Sequence, residues 1–342
     1  MEKIIIASMR RSAGKTSVIV GMAKNLKKKI AYMKPFGDRL VYEEKRLWDY
    51  DSAVMADLFN LPKKPEDMSI GFDYTKLKYV YDKEKTHRKL EEFPPDDTDV
   101  FFIETGRNLT YGSSVHLDPL YIAKDLKARL FIVVKGNEWS VDDIKFMEKY
   151  LDIGEIDFGG IIINQIKDLE DFKLKHLESF EETGVPVLGL LPYNEDLNYF
   201  TLDFLAKCLP AKVIAGEEGL DKKVKNIFVG AMYGHEAFRN PLFEKEHRLI
   251  ITGGDRVDMI LGSLNEFTSG IVLTNNIVPP SSIIAQANEN QIPLLLSSAD
   301  TYKIASQIHK IEPLLALGDK TKALMLEELV MTHLNIQDIL KA

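Results

Sequence analysis

Lys15 and Thr16 follow Gly14 and open a run with helical apolar spacing, Val18, Ile19, Met22, Ala23 and Leu26. Ahead of them stand a short apolar run, Ile4 to Ala7, that reads as a buried strand, and a polar loop, Ser8 to Gly14. A strand, a loop and Gly-Lys-Thr at a helix start form a phosphate cradle. Backbone N–H groups of the loop and of the helix N-terminus point at anionic oxygens. In that chemistry Lys15 reaches the β- and γ-phosphates and the Thr16 hydroxyl holds Mg2+. Arg10, Arg11, Ser12, Ala13, Gly14, Lys15, Thr16 and Ser17 are therefore the candidate nucleotide-binding residues, with ATP and Mg2+ as the expected cofactors. The full pattern, G-x-x-x-x-G-K-S/T, has Gly where this chain has Met9. A side chain there narrows the loop or changes its backbone angles.

Other residues are candidates because strands end at them. Ile30 to Met33 reads as a strand running into Lys34-Pro35, and the residue before proline favours extended backbone. Ligands of open α/β sheets sit at that carboxyl edge, so Lys34 is a candidate phosphate or substrate contact, a second catalytic cation beside Lys15. Asp99 to Glu104 is four apolar residues between two acids, and Glu104 emerges where phosphate-transferring folds place a Mg2+-coordinating carboxylate. Arg107, in the polar loop that follows, is a candidate for an anion. Asp49 or Asp51 either caps the helix from Asp51 to Leu61 or serves as a metal- or water-positioning carboxylate. Asn164, at the end of Gly160 to Ile163, is either a turn former or a nucleobase contact.

These residues need elements to position them. Apolar runs at Ile4, Ile30, Val100, Leu130, Gly160 and Val187 alternate with helical segments, which implies a mostly parallel sheet with helices on both faces. After Lys212 the pattern restarts with runs at 213–215, 227–231, 249–252, 270–274 and 293–296. The last three lead through polar turns into helices with Asp255, Ser281 and Asp300 as expected N-caps. The turn Gly253-Gly254-Asp255-Arg256 is a candidate anion or ligand site, although ordinary turn chemistry also accounts for it. Lys320 to Leu334 reads as a final amphipathic helix, packing on this second domain or on a dimer mate. The fold class is α/β throughout.

Composition bounds the partners. At 342 residues two domains are expected, and a formal net charge of −8 excludes a general nucleic-acid binder. The single cysteine, Cys208, allows no intrachain disulfide, suits a reducing, cytoplasmic setting, and reads as a small buried hydrophobe. No signal peptide is expected ahead of a loop that begins within ten residues of Met1. No apolar run reaches the ~20 residues of a membrane span. The seven histidines show no metal-ligand spacing.

The segments SMRRSAGKTS, Lys34-Pro35, Asp51, ETGRNLTYGSS, GGIIINQ and VPVLGLLPYNEDL resemble dethiobiotin synthetase. AGEEGLDKKVKNIFVGAM, IITGGDRVDMIL and ADTYKIASQI resemble the DRTGG domain. Together they resemble the N-terminal region of long phosphate acetyltransferases. The resemblance implies a P-loop NTPase domain over residues 1–205 and a smaller α/β DRTGG domain over 206–342 that includes the C-terminal helix. It implies Lys15 and Thr16 on phosphate and Mg2+, Asp51 and Glu104 near the metal, Lys34 near the γ-phosphate, Asn164 on the nucleobase, and a homodimer. The acetyltransferase domain has no place in this chain, so acetyl transfer by the chain alone is not expected. Asp38 stands near where dethiobiotin synthetase carries a small hydroxyl residue, which sets the diamino-acid substrate site apart. Two functions follow. One is a nucleotide-binding regulator of acyl-CoA or acetate-type metabolism, whose DRTGG domain meets a small ligand or protein partner. The other is an ATP-dependent ligase that phosphorylates a carboxylate or carbamate.

Overall fold

The structure is a computed structural model that describes residues 1–339 apart from 44, 152–153, 210, 231–240 and 312–314. The chain divides into two compact units, Met1–Asn194 with Leu317–Ala342, and Glu195–Ala316.

In the first unit, β1 (Glu2–Ser8) leads into α1 (Lys15–Leu26), and β2 (Ile30–Met33) follows. A hairpin of β3 (Leu40–Glu43) and β4 (Arg46–Asp49) runs into α2 (Tyr50–Phe59). Next come α3 (Tyr74–Val80), α4 (Lys83–Glu91), β5 (Val100–Glu104), α5 (Pro119–Leu126), β6 (Arg129–Lys135), α6 (Ser140–Tyr150), β7 (Phe158–Ile166), α7 (Leu169–Glu181) and β8 (Val187–Pro192). The sheet order is β2-β5-β1-β6-β7-β8, every neighbouring pair parallel. Parallel strands covered on both faces must be apolar along their length. Accordingly β5 is buried at each of its positions, and Ile4, Ile5, Ile6, Phe101, Phe102, Ile132, Val133, Ile161 and Ile162 are fully buried. The parallel arrangement sends Ser8, Lys34, Glu104 and Asn164 to one edge.

The second unit holds β9 (Phe200–Thr201), α8 (Leu202–Cys208), β10 (Lys212–Ala215), β11 (Lys223–Val224), β12 (Asn226–Val229), β13 (Arg248–Gly253), α9 (Val257–Ser263), β14 (Thr268–Thr274), α10 (Ser281–Glu289), β15 (Leu294–Leu296) and α11 (Thr301–Lys310). Its sheet order is β10-β15-β14-β13-β12, with β10 antiparallel to β15 and the other pairs parallel. One core, around Ile250, Met259, Ile271 and Ile283, packs α9 and α10 against the sheet. A second, around Leu202, Leu249, Ile251, Val272 and Ile304, packs α8 and α11.

The chain then returns to the first unit with α12 (Lys320–His333) and α13 (Ile336–Ile339). This corrects two expectations. The C-terminal helix does not belong with the second domain, and the units meet at Asn194/Glu195, so that Leu202–Cys208 lies in the second. α12 lies on α1. Asn25 Nδ2 donates to the Glu327 carbonyl at 2.8 Å, Gly318 N donates to Asp57 Oδ2 at 2.8 Å, and Leu334 bridges to Gly189 of β8. The sandwich explains why α1 buries Val18, Ile19, Val20, Met22 and Ala23 around more than one stripe. Three smaller expectations also change. Cys208 is exposed rather than buried. Neither Asp255 nor Ser281 caps a helix: Arg256 and Pro280 hold those positions without a side-chain bond, whereas Asp300 does cap α11. Residue 231, expected in a strand, lies outside the described residues.

Gly21 is where α1 and α12 come closest. A Cβ there would stand 2.3 Å from Val330 Cγ2 and 2.6 Å from the Leu326 carbonyl oxygen. Gly21→Ala gains about 1 kcal/mol of helix propensity, but overpacking against backbone costs about 1–3 kcal/mol. The expected outcome is a lower thermal midpoint by circular dichroism, and an unchanged or raised midpoint would refute this packing.

Candidate functional site at the carboxyl edge of the first sheet

The loop after β1 has a backbone that its sequence only partly announces. Ser12 (φ 63°) and Gly14 (φ 87°) are both left-handed, and the second needs glycine for space as well. A Cβ on Gly14 would fall 2.3 Å from Asn164 Nδ2. Asn164 Nδ2 donates to the Ala13 carbonyl at 2.8 Å, and Gln165 Nε2 donates to the Ser12 carbonyl at 3.3 Å. The end of β7 thus clamps the loop, and the Asn164 amide nitrogen is committed to backbone. Met9 is tolerated at the other end, where the strand leaves the sheet half-buried. Arg10 is exposed and forks onto Asp143 of α6 at 2.8–3.1 Å, while Arg11 is exposed.

Lys15 is buried, and its Nζ donates to Ser8 Oγ at 3.1 Å. Among the described residues no carboxylate comes within ion-pair distance of it. Burial pushes its pKa down, against the raising effect of the Glu104 charge. A buried ammonium with a neutral acceptor is costly in isolation. The loop amides and Lys15 together make a positive hollow suited to phosphate oxygens.

Beside it the polarity reverses. Thr16 Oγ1 donates to Glu104 Oε1 at 3.0 Å, and Tyr32 OH donates to Glu104 Oε2 at 2.9 Å. Burial and then the Asp51 charge raise the Glu104 pKa to about 7, although Lys34 and Lys15 pull it down. Burial and the same acids push the Tyr32 phenol well above its ordinary range, so it stays a donor. Lys34, 2% exposed, lies 2.6 Å from Asp51 Oδ2, 2.5 Å from Asp38 Oδ1, 3.4 Å from Asp49 Oδ1 and 4.0 Å from Glu104 Oε1. Burial works against its ammonium, but these carboxylates outweigh burial and raise its pKa well above the ordinary value. Asp51 falls to about 2: burial opposes ionisation, and Lys34 and Arg39 overcome it. Asp49 is raised, chiefly by burial.

Asp49 is also the hub of the local fold. It caps α2 by accepting from Asp51 N at 3.0 Å and closes the turn before β3 by accepting from Asp38 N and Arg39 N at 2.8 and 2.9 Å. That settles the capping question between Asp49 and Asp51, because Asp51 is the capped residue, its carboxylate held by Lys34 and, at 3.1 Å, by Arg39. Arg107 stands at the rim, about half exposed, 3.7 Å from Asp38 Oδ2 and over the Tyr111 ring.

The donors suit Mg2+. Thr16 hydroxyl and the Glu104 and Asp51 carboxylates are all hard oxygens, and Asp38 Oδ1 is buried without a hydrogen bond, its Lys34 contact being an ion pair of poor hydrogen-bond geometry. Ligand atoms of Asp38, Asp49 and Asp51 also lie within 4.8 Å of one another, but there the Lys34 ammonium already stands 2.5–3.4 Å from all three carboxylates. Sequence reasoning passed over Ser8, Tyr32, Arg39 and Asp143. Tyr32 carried a usable signal, since it sits two residues before Lys34 on an extended segment and so shares its face.

In the second unit Gly253–Arg256 forms the turn expected by chemistry alone. Arg256 N donates to the Gly253 carbonyl at 3.1 Å, and a Cβ on Gly254 would lie 1.7 Å from the Ile277 oxygen. Arg256 Nε is 3.5 Å from Asp258 Oδ1.

A family model described as an AAA domain matches residues 2–200, more than half of the chain. The chain belongs to that AAA domain family. A DRTGG domain model matches residues 204–311, so a P-loop AAA domain is followed by a DRTGG domain, in the order that the motifs implied. Phosphate acetyltransferase of Synechocystis is 31% identical over 173 residues, covering 48% of this chain and 24% of that protein. Phosphate acetyltransferase of Nitratidesulfovibrio vulgaris is 24% identical, covering 91% of this chain and 48% of that protein. Cobyrinate a,c-diamide synthase of Listeria innocua is 27% identical, covering 57% of this chain and 40% of that protein. The chain thus spans from about a quarter to about half the length of these relatives. The cell-division protein MinD of Aquifex aeolicus aligns at a TM-score of 0.36 with 16% identity, covering 58% of this chain and 84% of that one. The α/β assignment of the AAA domain rests on strand order and the P-loop. No helix among the described residues is long and apolar enough to cross a membrane.

The Glu104 geometry carries a pH signature. Its folded pKa, about 7, lies above the ordinary 4.5, so the folded chain holds this proton more tightly than the unfolded chain. That stabilisation is full below the ordinary range and is lost as pH rises through about 7, up to about 3 kcal/mol for a shift of this size. In nucleotide- and metal-free protein the melting temperature should fall by a few degrees between about pH 5 and pH 8, and Glu104→Gln should remove that fall. Equal slopes in the two proteins would refute the assignment.

Proposed function

We propose that the AAA domain binds ATP with Mg2+ and that the DRTGG domain meets a small ligand or a protein partner, so that the protein works as a nucleotide-dependent regulator in acyl-CoA or acetate-type metabolism. The observation that carries the first part is Lys15. It is a buried ammonium at the mouth of the loop with a serine hydroxyl and, among the described residues, no carboxylate partner, while the carboxylates of the edge gather around Lys34 instead.

In this reading the loop amides, Lys15 and Ser17 take the phosphates. Thr16, Glu104 and Asp51 hold Mg2+, which neutralises phosphate charge when bound. Asn164 and Gln165 keep the loop carbonyls turned away from the anion, which leaves Asn164 Oδ1 as the atom for a base contact. Arg10, fixed by Asp143, and Arg11 add positive potential along the rim. Lys34 enters through the γ-phosphate only if it gives up an aspartate. Phosphoryl transfer would then depend on an exchange between Asp38 and substrate at the Lys34 ammonium, with Arg107 receiving Asp38. The regulatory part rests on likeness to the phosphate acetyltransferase N-terminal region, one relative of which aligns over 91% of this chain. A cytoplasmic homodimer is the expected form.

The second reading is an ATP-dependent ligase, favoured by the likeness to cobyrinate a,c-diamide synthase. Against it, Asp38 already occupies the Lys34 position that an anionic acceptor would need. Phosphate release with and without candidate carboxylates separates the two.

The direct test is isothermal titration with ATP, with and without Mg2+. Micromolar, Mg2+-dependent binding is expected, weakened about 10- to 100-fold in Lys15→Ala, the scale of lost hydrogen bonds to a charged group. Absence of wild-type binding at millimolar ATP would overturn the reading.

A further inference from the structure

We infer that Tyr32 is a positioning residue that fixes which oxygen of Glu104 faces the metal, and thereby tunes the site toward Mg2+; this rests on the nucleotide and Mg2+ reading above. Tyr32 is 1% exposed and lies on β2, paired in register with Phe102 of the neighbouring β5, so its ring is held by the sheet itself. Phenylalanine would fill the same space. A hydroxyl in that interior is costly unless bonded, and its partner is the one carboxylate oxygen of Glu104 that Thr16 does not use. The carboxylate is divided, with Oε2 on the phenol and Oε1 on the Thr16 hydroxyl at 3.0 Å.

A cation taking the place of that hydroxyl proton meets Oε1 alone. A one-oxygen carboxylate suits the small octahedral Mg2+ ion, whereas Ca2+ accepts two-oxygen carboxylates and more ligands. Without the phenol, Oε2 is free to turn toward the ion. Partners of this kind typically contribute 10- to 100-fold in metal affinity, about the range to expect here.

The test uses the full chain with a fluorescent ADP analogue, comparing wild type, Tyr32→Phe and Tyr32→Leu. Half-saturating Mg2+ is measured at fixed nucleotide, then repeated with Ca2+, and analogue affinity is measured in EDTA. For Tyr32→Phe we expect unchanged affinity in EDTA, Mg2+ affinity weaker by about tenfold, and a Ca2+-to-Mg2+ affinity ratio raised several-fold. Tyr32→Leu should shift the ratio in the same sense. An unchanged ratio in Tyr32→Phe, or a shift confined to Tyr32→Leu, means that the ring only packs and overturns the inference. If wild type fails to bind the analogue in EDTA and with Mg2+, the underlying reading fails and this inference with it. If wild type binds and Tyr32→Phe matches it throughout, only the inference fails.

Discussion

The carboxyl edge of the first sheet buries two lysines, one among four acids and one beside a serine hydroxyl, and how their charges are met decides what the site can do. Lys34 sits within 4.0 Å of Asp38, Asp49, Asp51 and Glu104. Lys15 has Ser8. At separations of about 4 Å an ion pair is worth about 4 kcal/mol in a medium of effective dielectric about 20, enough to hold buried charges that burial alone would neutralise. Asp49 supplies the architecture of this arrangement by capping α2 and closing the turn that brings Asp38 back to Lys34. Polarity is thereby sorted along the edge, with a positive hollow over the loop and an acidic pocket beside it.

The sorting leaves Glu104 and Lys15 less fully matched in charge than their neighbours. Asp51, close to Lys34 and Arg39, is held near 2, whereas Glu104, farthest from Lys34 of the four acids, is pushed to about 7. Glu104 is therefore the acid that Lys34 serves least, and Lys15 is a lysine that no carboxylate among the described residues reaches. A metal bound to a phosphate serves both at once. This complementarity is stronger grounds for a nucleotide site than the loop motif by itself, because it involves residues of β2, β5 and α2 that the motif does not mention.

Local chemistry was legible in the chain wherever a strand ends in a charged residue. Lys15, Thr16, Lys34 and Glu104 are all found at the edge that their flanking apolar runs implied, because parallel strands announce themselves as unbroken apolar runs. What was hidden depends on distant residues. Asn164 looks like a turn former or a base contact until the Ala13 carbonyl is seen 2.8 Å away, across 151 positions of sequence. Arg10 looks like a phosphate ligand until Asp143 of α6 claims its guanidinium. Cys208 reads as a core residue by type alone, and composition says nothing about which face of a seven-residue helix carries it. Asp73 and Asp82 cap the short helices α3 and α4, and capping sustains segments too polar to show a periodic stripe.

The placement of α12 was the least legible feature, and it has consequences for how the P-loop helix is held. Helix periodicity shows that one face must be covered, but it does not name the cover. Chain order favoured the neighbouring DRTGG domain. The actual cover for α12 is α1, and the Asn25–Glu327 bond closes a loop of 302 residues that contains the whole second unit. Loop-closure entropy rises only slowly with length, so such a return costs little more than a short one when the intervening chain folds as its own unit. Both ends of the DRTGG unit are consequently joined to segments of the AAA unit: one follows β8, and the other leads into the helix that packs on α1. The helix whose first turn carries Lys15 and Thr16 is thus completed by residues that lie beyond the DRTGG domain in sequence. The AAA fold as this chain builds it is not a segment that ends where its family match ends, at residue 200.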